Sequence, residues 1–148
     1  MVIKTVIQEK IMSLFNVFGI SGSALQAQTL RLNTTSSNMA NANSVSSSTG
    51  TTYRARHPVF APMVKEFENE KKAVGVRVLG VVESKKPLRT EFNPDHPLAD
   101  KDGYIYLPNV NMVEEMADMI SASRSYQSNV EVMTTAKKML MRTLQLGQ

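Results

Sequence analysis

Apolar residues in this chain follow two different periods, and the change from one to the other divides it into three parts. Leu14, Phe18, Ser21, Leu25, Gln28, Leu32, Thr35 and Met39 fall at alternating spacings of four and three, the heptad period of a helical seam. Five of the eight are apolar, so the stripe is diluted with Ser, Gln and Thr. Toward the other end Met116, Met119, Ser123, Tyr126, Val130, Met133, Lys137, Leu140 and Leu144 keep the same alternation, and seven of these nine are apolar. Neither Pro nor Gly interrupts the run from Asn109 to Leu146. Asn109 or Asn111 is placed to cap its start, with Glu114 and Glu115 favourable near the positive end of the helix dipole. Between the two seams the pattern shortens to β-prone runs at 57–60, 74–82, 88–92 and 104–107, divided by Pro and Gly turns.

These patterns predict an α+β fold in which long N- and C-terminal helices pair as an antiparallel coiled coil around a small β-rich insert. The expected segments are an N-terminal extension of unassigned role at 1–11, a helix at 12–43, a polar loop and β-rich insert at 44–107, and a helix at 108–148. A single seam does not offset the entropy of ordering so long a helix, so each end needs the other. Because the N-terminal seam is diluted, the two ends are expected to gain full order only on assembly.

Charge is distributed as unevenly as hydrophobicity. Arg31 is the one charged residue between Ile11 and Tyr53. A lone cation in such surroundings calls for a carboxylate, sought in an adjoining subunit, unless it faces an aqueous channel. Fifteen of the twenty residues from Asn33 to Thr52 are Ser, Thr or Asn, which compete with helical hydrogen bonds, so the helix is expected to end near Asn43 and Ser44–Thr52 to form a flexible polar linker. The formal charge of +4 is spread among acidic residues without accompanying aromatic platforms, which argues against nucleic acid as a partner. With Cys absent and two histidines, His57 and His96, no metal or cofactor is expected. The turn Asp100-Lys101-Asp102-Gly103 lacks the first and twelfth ligands of a calcium loop. No nucleophile elbow, phosphate loop or HExxH pattern frames the Ser, His and Asp residues, so neither catalysis nor a small-molecule substrate is expected. Six of the ten methionines lie between Met112 and Met141, a flexible, polarizable surface suited to unlike neighbours.

Two motifs add a family. Ser37-Asn38-Met39-Ala40-Asn41-Ala42-Asn43 resembles the SNxANAN signature of flagellar rod and hook axial proteins. Pro108-Asn109-Val110-Asn111 through Glu115-Met116, and Ser121 to Asn129 with Arg124 and Tyr126, resemble the C-terminal helix of the same family, and the likeness runs from about Met12 to Gln148. It implies a structural subunit of the proximal rod in the flagellar basal body, arranged helically around the export channel and transmitting torque. The implied partners are copies of itself, neighbouring proximal-rod proteins, the membrane-proximal adaptor, the distal rod and the flagellar type III export apparatus. The implied location is the periplasm, reached without a cleaved signal peptide. On this reading the assembly interface comprises Leu14, Phe18, Leu25, Arg31, Leu32, Asn38, Met39, Ala40, Asn41 and Asn43 from the first helix. The second supplies Asn109, Asn111, Glu115, Met116, Met119, Arg124, Tyr126, Val130, Met133, Leu140 and Leu144. The competing reading is a soluble coiled-coil adaptor or export substrate that is not built into the rod.

Overall fold

A computed structural model describes the backbone of residues 2–67 and 70–146 and the side chains of residues 15–66 and 73–145. The elements run α1 (Val2–Asn41), β1 (Arg56–Phe67), β2 (Glu70–Glu83), β3 (Arg89–Phe92), β4 (Tyr104–Leu107) and α2 (Met112–Leu146). The α+β architecture of two terminal helices around an antiparallel insert is therefore the one expected. The side chain of Leu14 lies outside the described residues.

The polar content of α1 does not break it, because its hydroxyls and amides bond back onto the helix. Thr29, Thr34 and Ser37 donate to the carbonyls four residues earlier, and Ser23 to the one three earlier. Asn41 Nδ2 closes the last turn on the Ser37 carbonyl at 2.8 Å. Asn111 starts α2, its Oδ1 accepting from the Val113 N–H at 3.1 Å, while Glu114 and Glu115 occupy the first turn.

The insert forms two separate two-stranded sheets, β1–β2 and β3–β4. Two residues separate β1 from β2, a connection too short for anything but an antiparallel pair. Strand β1 is much longer than the run 57–60 suggested, since Pro58 and Pro62 are tolerated where a strand has an open edge. In the second sheet Arg89 pairs with Leu107 and Phe92 with Tyr104, whose rings meet edge to face at 5.2 Å. Asp100 shapes its turn: Oδ1 accepts from the N–H groups of Asp102 and Tyr104, and Oδ2 from the Tyr106 hydroxyl. These bonds, the Tyr104 N–H foremost, hold the Asp100 carboxyl below its usual range. Gly103, at φ 81°, closes the turn where a Cβ would lie 2.9 Å from the Phe92 ring.

Ser44–Thr52 is not the free linker that its composition suggested. Ser46 exchanges two backbone hydrogen bonds with Tyr106, each 3.0 Å, and Thr52 is buried with its hydroxyl on the Ser48 carbonyl. The same short polar side chains that favour turns also saturate this one.

The chain divides into two compact units: Met1–Thr29 with Phe60–Leu79 and Ser123–Gln148, and Leu30–Val59 with Gly80–Ala122. In the first, α1 and β2 meet through Ser23, whose Oγ accepts from the Val76 N–H at 3.0 Å while donating to the Ile20 carbonyl. Gly75 makes this approach possible, because a Cβ there would lie 2.6 Å from Ser23 Oγ and 2.7 Å from Met63 Cε. Met63 can swing aside, but Ser23 is held by both its bonds. In the second unit Ala42, Ala55 and Val110 form a small buried cluster with Tyr53 packed against it.

Gly75→Ala is therefore expected to lose the Ser23–Val76 bond and cost about 1–3 kcal/mol. Measured beside it by urea titration, Gly22→Ala, whose added carbon meets no packed neighbour within 4 Å, is expected to be neutral or stabilising.

Candidate assembly joint

Where α1 runs beside α2 in the second unit, the contact is polar. Asn38 is wholly enclosed, at 0% exposure, and its amide serves three elements. Nδ2 donates to the Arg56 carbonyl at 2.8 Å and to Glu115 Oε1 at 2.9 Å. Oδ1 accepts from the Arg56 N–H at 2.9 Å and the Tyr53 hydroxyl at 2.8 Å. One side chain thus joins the end of α1, the start of α2 and the start of β1. Arg31 pairs with Asp118 at 2.5 Å, both partly exposed. Since Asn38 meets Glu115 while the earlier Arg31 meets the later Asp118, the helices are antiparallel here.

Arg31 needs no adjoining subunit for a counter-ion: its carboxylate belongs to the same chain. The sequence did mark the cation but gave no reason to choose Asp118. Partial exposure makes the pair worth about 1 kcal/mol or less.

Glu115 is the buried charge of the joint. It is 4% exposed, and its Oε1 is bonded to Asn38. Burial pushes its carboxyl above the usual range; the Asn38 amide, His57 and the Thr35 hydroxyl pull it down, while the Asp118 charge adds to the rise.

Around this joint Asn109 and Arg89 tie down the loops. Asn109 Oδ1 accepts from the Ala55 N–H at 2.8 Å, and Nδ2 donates to the carbonyls of Ser84 and Lys86. Asn109 is thus a brace between segments, and Asn111 alone is the cap. Arg89 donates from Nε to the Pro108 carbonyl and from Nη2 to the Ala42 carbonyl. Arg56 bonds Glu83 at 3.2 Å and lies over the Tyr53 ring at 5.5 Å. Tyr53, Arg56, Arg89 and Asp118 were not singled out from the sequence, because none sits in a periodic stripe or a motif.

The other interface candidates divide by face. On α1, Phe18, Leu25, Leu32, Met39 and Asn41 are half-buried, whereas Ala40 is exposed; Asn43, just past its end, is exposed too. Among the described residues of α1 the fully buried positions are Ser21, Ala27, Thr34, Thr35 and Asn38, all small or polar. On α2 the buried residues are Glu115, Ala122 and Ala136, with Met119, Met133 and Leu140 half-buried. Met116, Arg124, Tyr126, Val130 and Leu144 are exposed, as is the cap Asn111. The buried side of α2 thus lies one position earlier than much of its apolar heptad stripe.

Two family models match the segments that meet here. Residues 19–46 match one described as "Flagella basal body rod protein", and residues 101–146 one described as "Flagellar basal body rod FlgEFG protein C-terminal". With Asn38 in one segment and Glu115 in the other, the joint is that of a flagellar axial protein. Curated relatives narrow the class. The chain is 49% identical over 137 residues to the flagellar basal-body rod protein FlgC of Yersinia enterocolitica, covering 93% of this chain and 100% of the relative. It is 47% identical to FlgC of Salmonella typhimurium at the same coverage, and 37% identical to FlgC of Borreliella burgdorferi over 93% and 99% of the two chains. The chain belongs to the FlgC family of flagellar basal-body rod proteins, structural components of the basal body with no enzymatic activity.

The buried carboxyl gives the joint a pH signature. With its folded pKa raised, Glu115 stabilises the fold when protonated, fully so below about pH 4.3, its ordinary value, and that contribution disappears as pH rises through the folded pKa. Glu115→Gln keeps an acceptor for Asn38 without the charge. Its melting temperature is expected to exceed that of the parent chain at pH 7, with the difference shrinking as pH falls toward about 4.

Proposed function

We propose that the chain builds the proximal part of the rod, its terminal helices forming the inner tube around the export channel and its β-rich insert lying outside them. Copies of the chain and other rod proteins are its neighbours, the membrane-proximal adaptor on one side and the distal rod on the other. It reaches the periplasm through the flagellar type III export apparatus without a cleaved signal and then transmits torque mechanically.

The observation that carries this reading is the outward display of apolar side chains on α2. Met112, Val113, Met116 and Ile120 are 37%, 75%, 53% and 52% exposed within three turns. A helix already held along one side by Asn38 and Arg31 presents this surface to something else. Methionine suits it, because a subunit between unlike neighbours must pack against more than one shape. From Ile11 onward the Ser, Thr and Asn of α1 supply an almost uncharged wall, with Arg31 neutralised by Asp118. Such a wall would hold passing unfolded chains only weakly.

Met116→Lys with Ile120→Lys tests this reading. Both side chains are exposed, so the purified double variant is expected to retain the parent's circular dichroism and melting temperature. In a strain lacking the native gene it is expected to abolish swimming and to be absent from isolated basal bodies. Normal swimming and normal incorporation would contradict the reading.

A further inference from the structure

Within the unit formed by Met1–Thr29, Phe60–Leu79 and Ser123–Gln148, two apolar depressions of opposite charge lie on opposite flanks of α1. The first, about 580 Å³, is lined by Phe15, Gly19, Met63, Val64 and Val74 together with the cations Lys65 and Arg77. The second, about 560 Å³, is lined by Val17, Val132, Thr135, Ala136 and Met139, with Glu131 beside them. Phe15 and Gly19 each lie about 160° around the helix from Val17, so the two depressions face away from each other. Their side chains are open to solvent: Phe15 is 60% exposed, Val64 51%, Val132 48% and Met139 56%.

We propose that these two surfaces bind each other between copies of the chain: the Phe15 ring of one copy enters the Val17–Val132–Met139 cleft of the next, and Lys65 and Arg77 face Glu131. The occupant follows from complementarity. An exposed ring meets an apolar cleft, and two cations meet an anion. Each surface is repelled by its own kind, since a basic groove against a basic groove is unfavourable, which disfavours a two-fold dimer. Unlike surfaces on opposite flanks of one helix make a heterologous contact, which continues from copy to copy and does not close after two. The proposal rests on the rod reading and adds to it the faces by which like subunits adjoin.

The absence of native cysteine makes cross-linking selective. Val64→Cys with Val132→Cys on one chain, expressed in place of the native protein, is expected to give a ladder of dimers and higher multimers when basal bodies are treated with a short bis-maleimide. Either single variant alone is expected to remain monomeric. Glu131→Lys is expected to lose swimming, and Lys65→Glu with Arg77→Glu to restore it in the same chain. Basal bodies that contain the double-cysteine chain but yield no ladder, or single variants that dimerise with themselves, would overturn the contact while leaving the rod reading intact. If the unmodified chain is missing from basal bodies, the rod reading fails and the contact fails with it.

Discussion

A single enclosed amide holds the terminal helices of this protein in register. Asn38 has no exposure to water, so each of its hydrogen-bonding atoms must be satisfied inside the protein, and each finds its partners on α2, β1 and Tyr53. An apolar contact tolerates sliding, because one methyl group packs much like another. An amide bonded to Glu115 on one side and to both backbone groups of Arg56 on the other does not, since any shift leaves several buried polar groups unpaired. The register of α1 against α2 thus comes from directional bonds, with Arg31 and Asp118 confirming it on a more exposed side.

The use of polar and small residues for the internal contact leaves large apolar residues for the outside. Among the described residues the buried hydrophobics are five alanines with Ile105 and Val110, whereas Phe15, Met116, Ile120, Tyr126, Val130, Met139 and Leu144 are all exposed. A chain intended to stand alone would be arranged the other way round. Modest internal packing with abundant outward apolar surface suits a structural component of the basal body. Glu115 fits this picture: burial disfavours its charged form, so its charge weakens the joint at neutral pH.

Periodicity made the two helices and the existence of a β-rich insert legible, and the motif around Asn38 made the family legible. The contact face of α2 was not, because a heptad count ranks residues by hydrophobicity and the face that is buried here is marked by Ala122, Ala136 and a glutamate. The length of β1 was hidden by Pro58 and Pro62, which end a strand in a wide sheet but not one with an open edge. The joint was half visible. Asn38, Asn109 and Glu115 could be named from the sequence, but Tyr53, Arg56 and Asp118 come together only through the fold, and the partner of Arg31 lies 87 residues away in the chain. The loop at Ser44–Thr52 is instructive for the same reason: its composition describes a linker, and only the bridge between Ser46 and Tyr106 reveals a fixed turn.

The claim that Asn38 and Glu115 act as one unit is tested most directly by a double-mutant cycle on the purified chain at neutral pH, with Asn38→Ala, Glu115→Ala and their combination measured by urea denaturation. The account predicts a coupling of about 1 kcal/mol or more, because removing either partner already forfeits their shared bond. Effects of the two substitutions that simply add would show that the enclosed amide and the carboxyl stabilise the helices independently, and would contradict it.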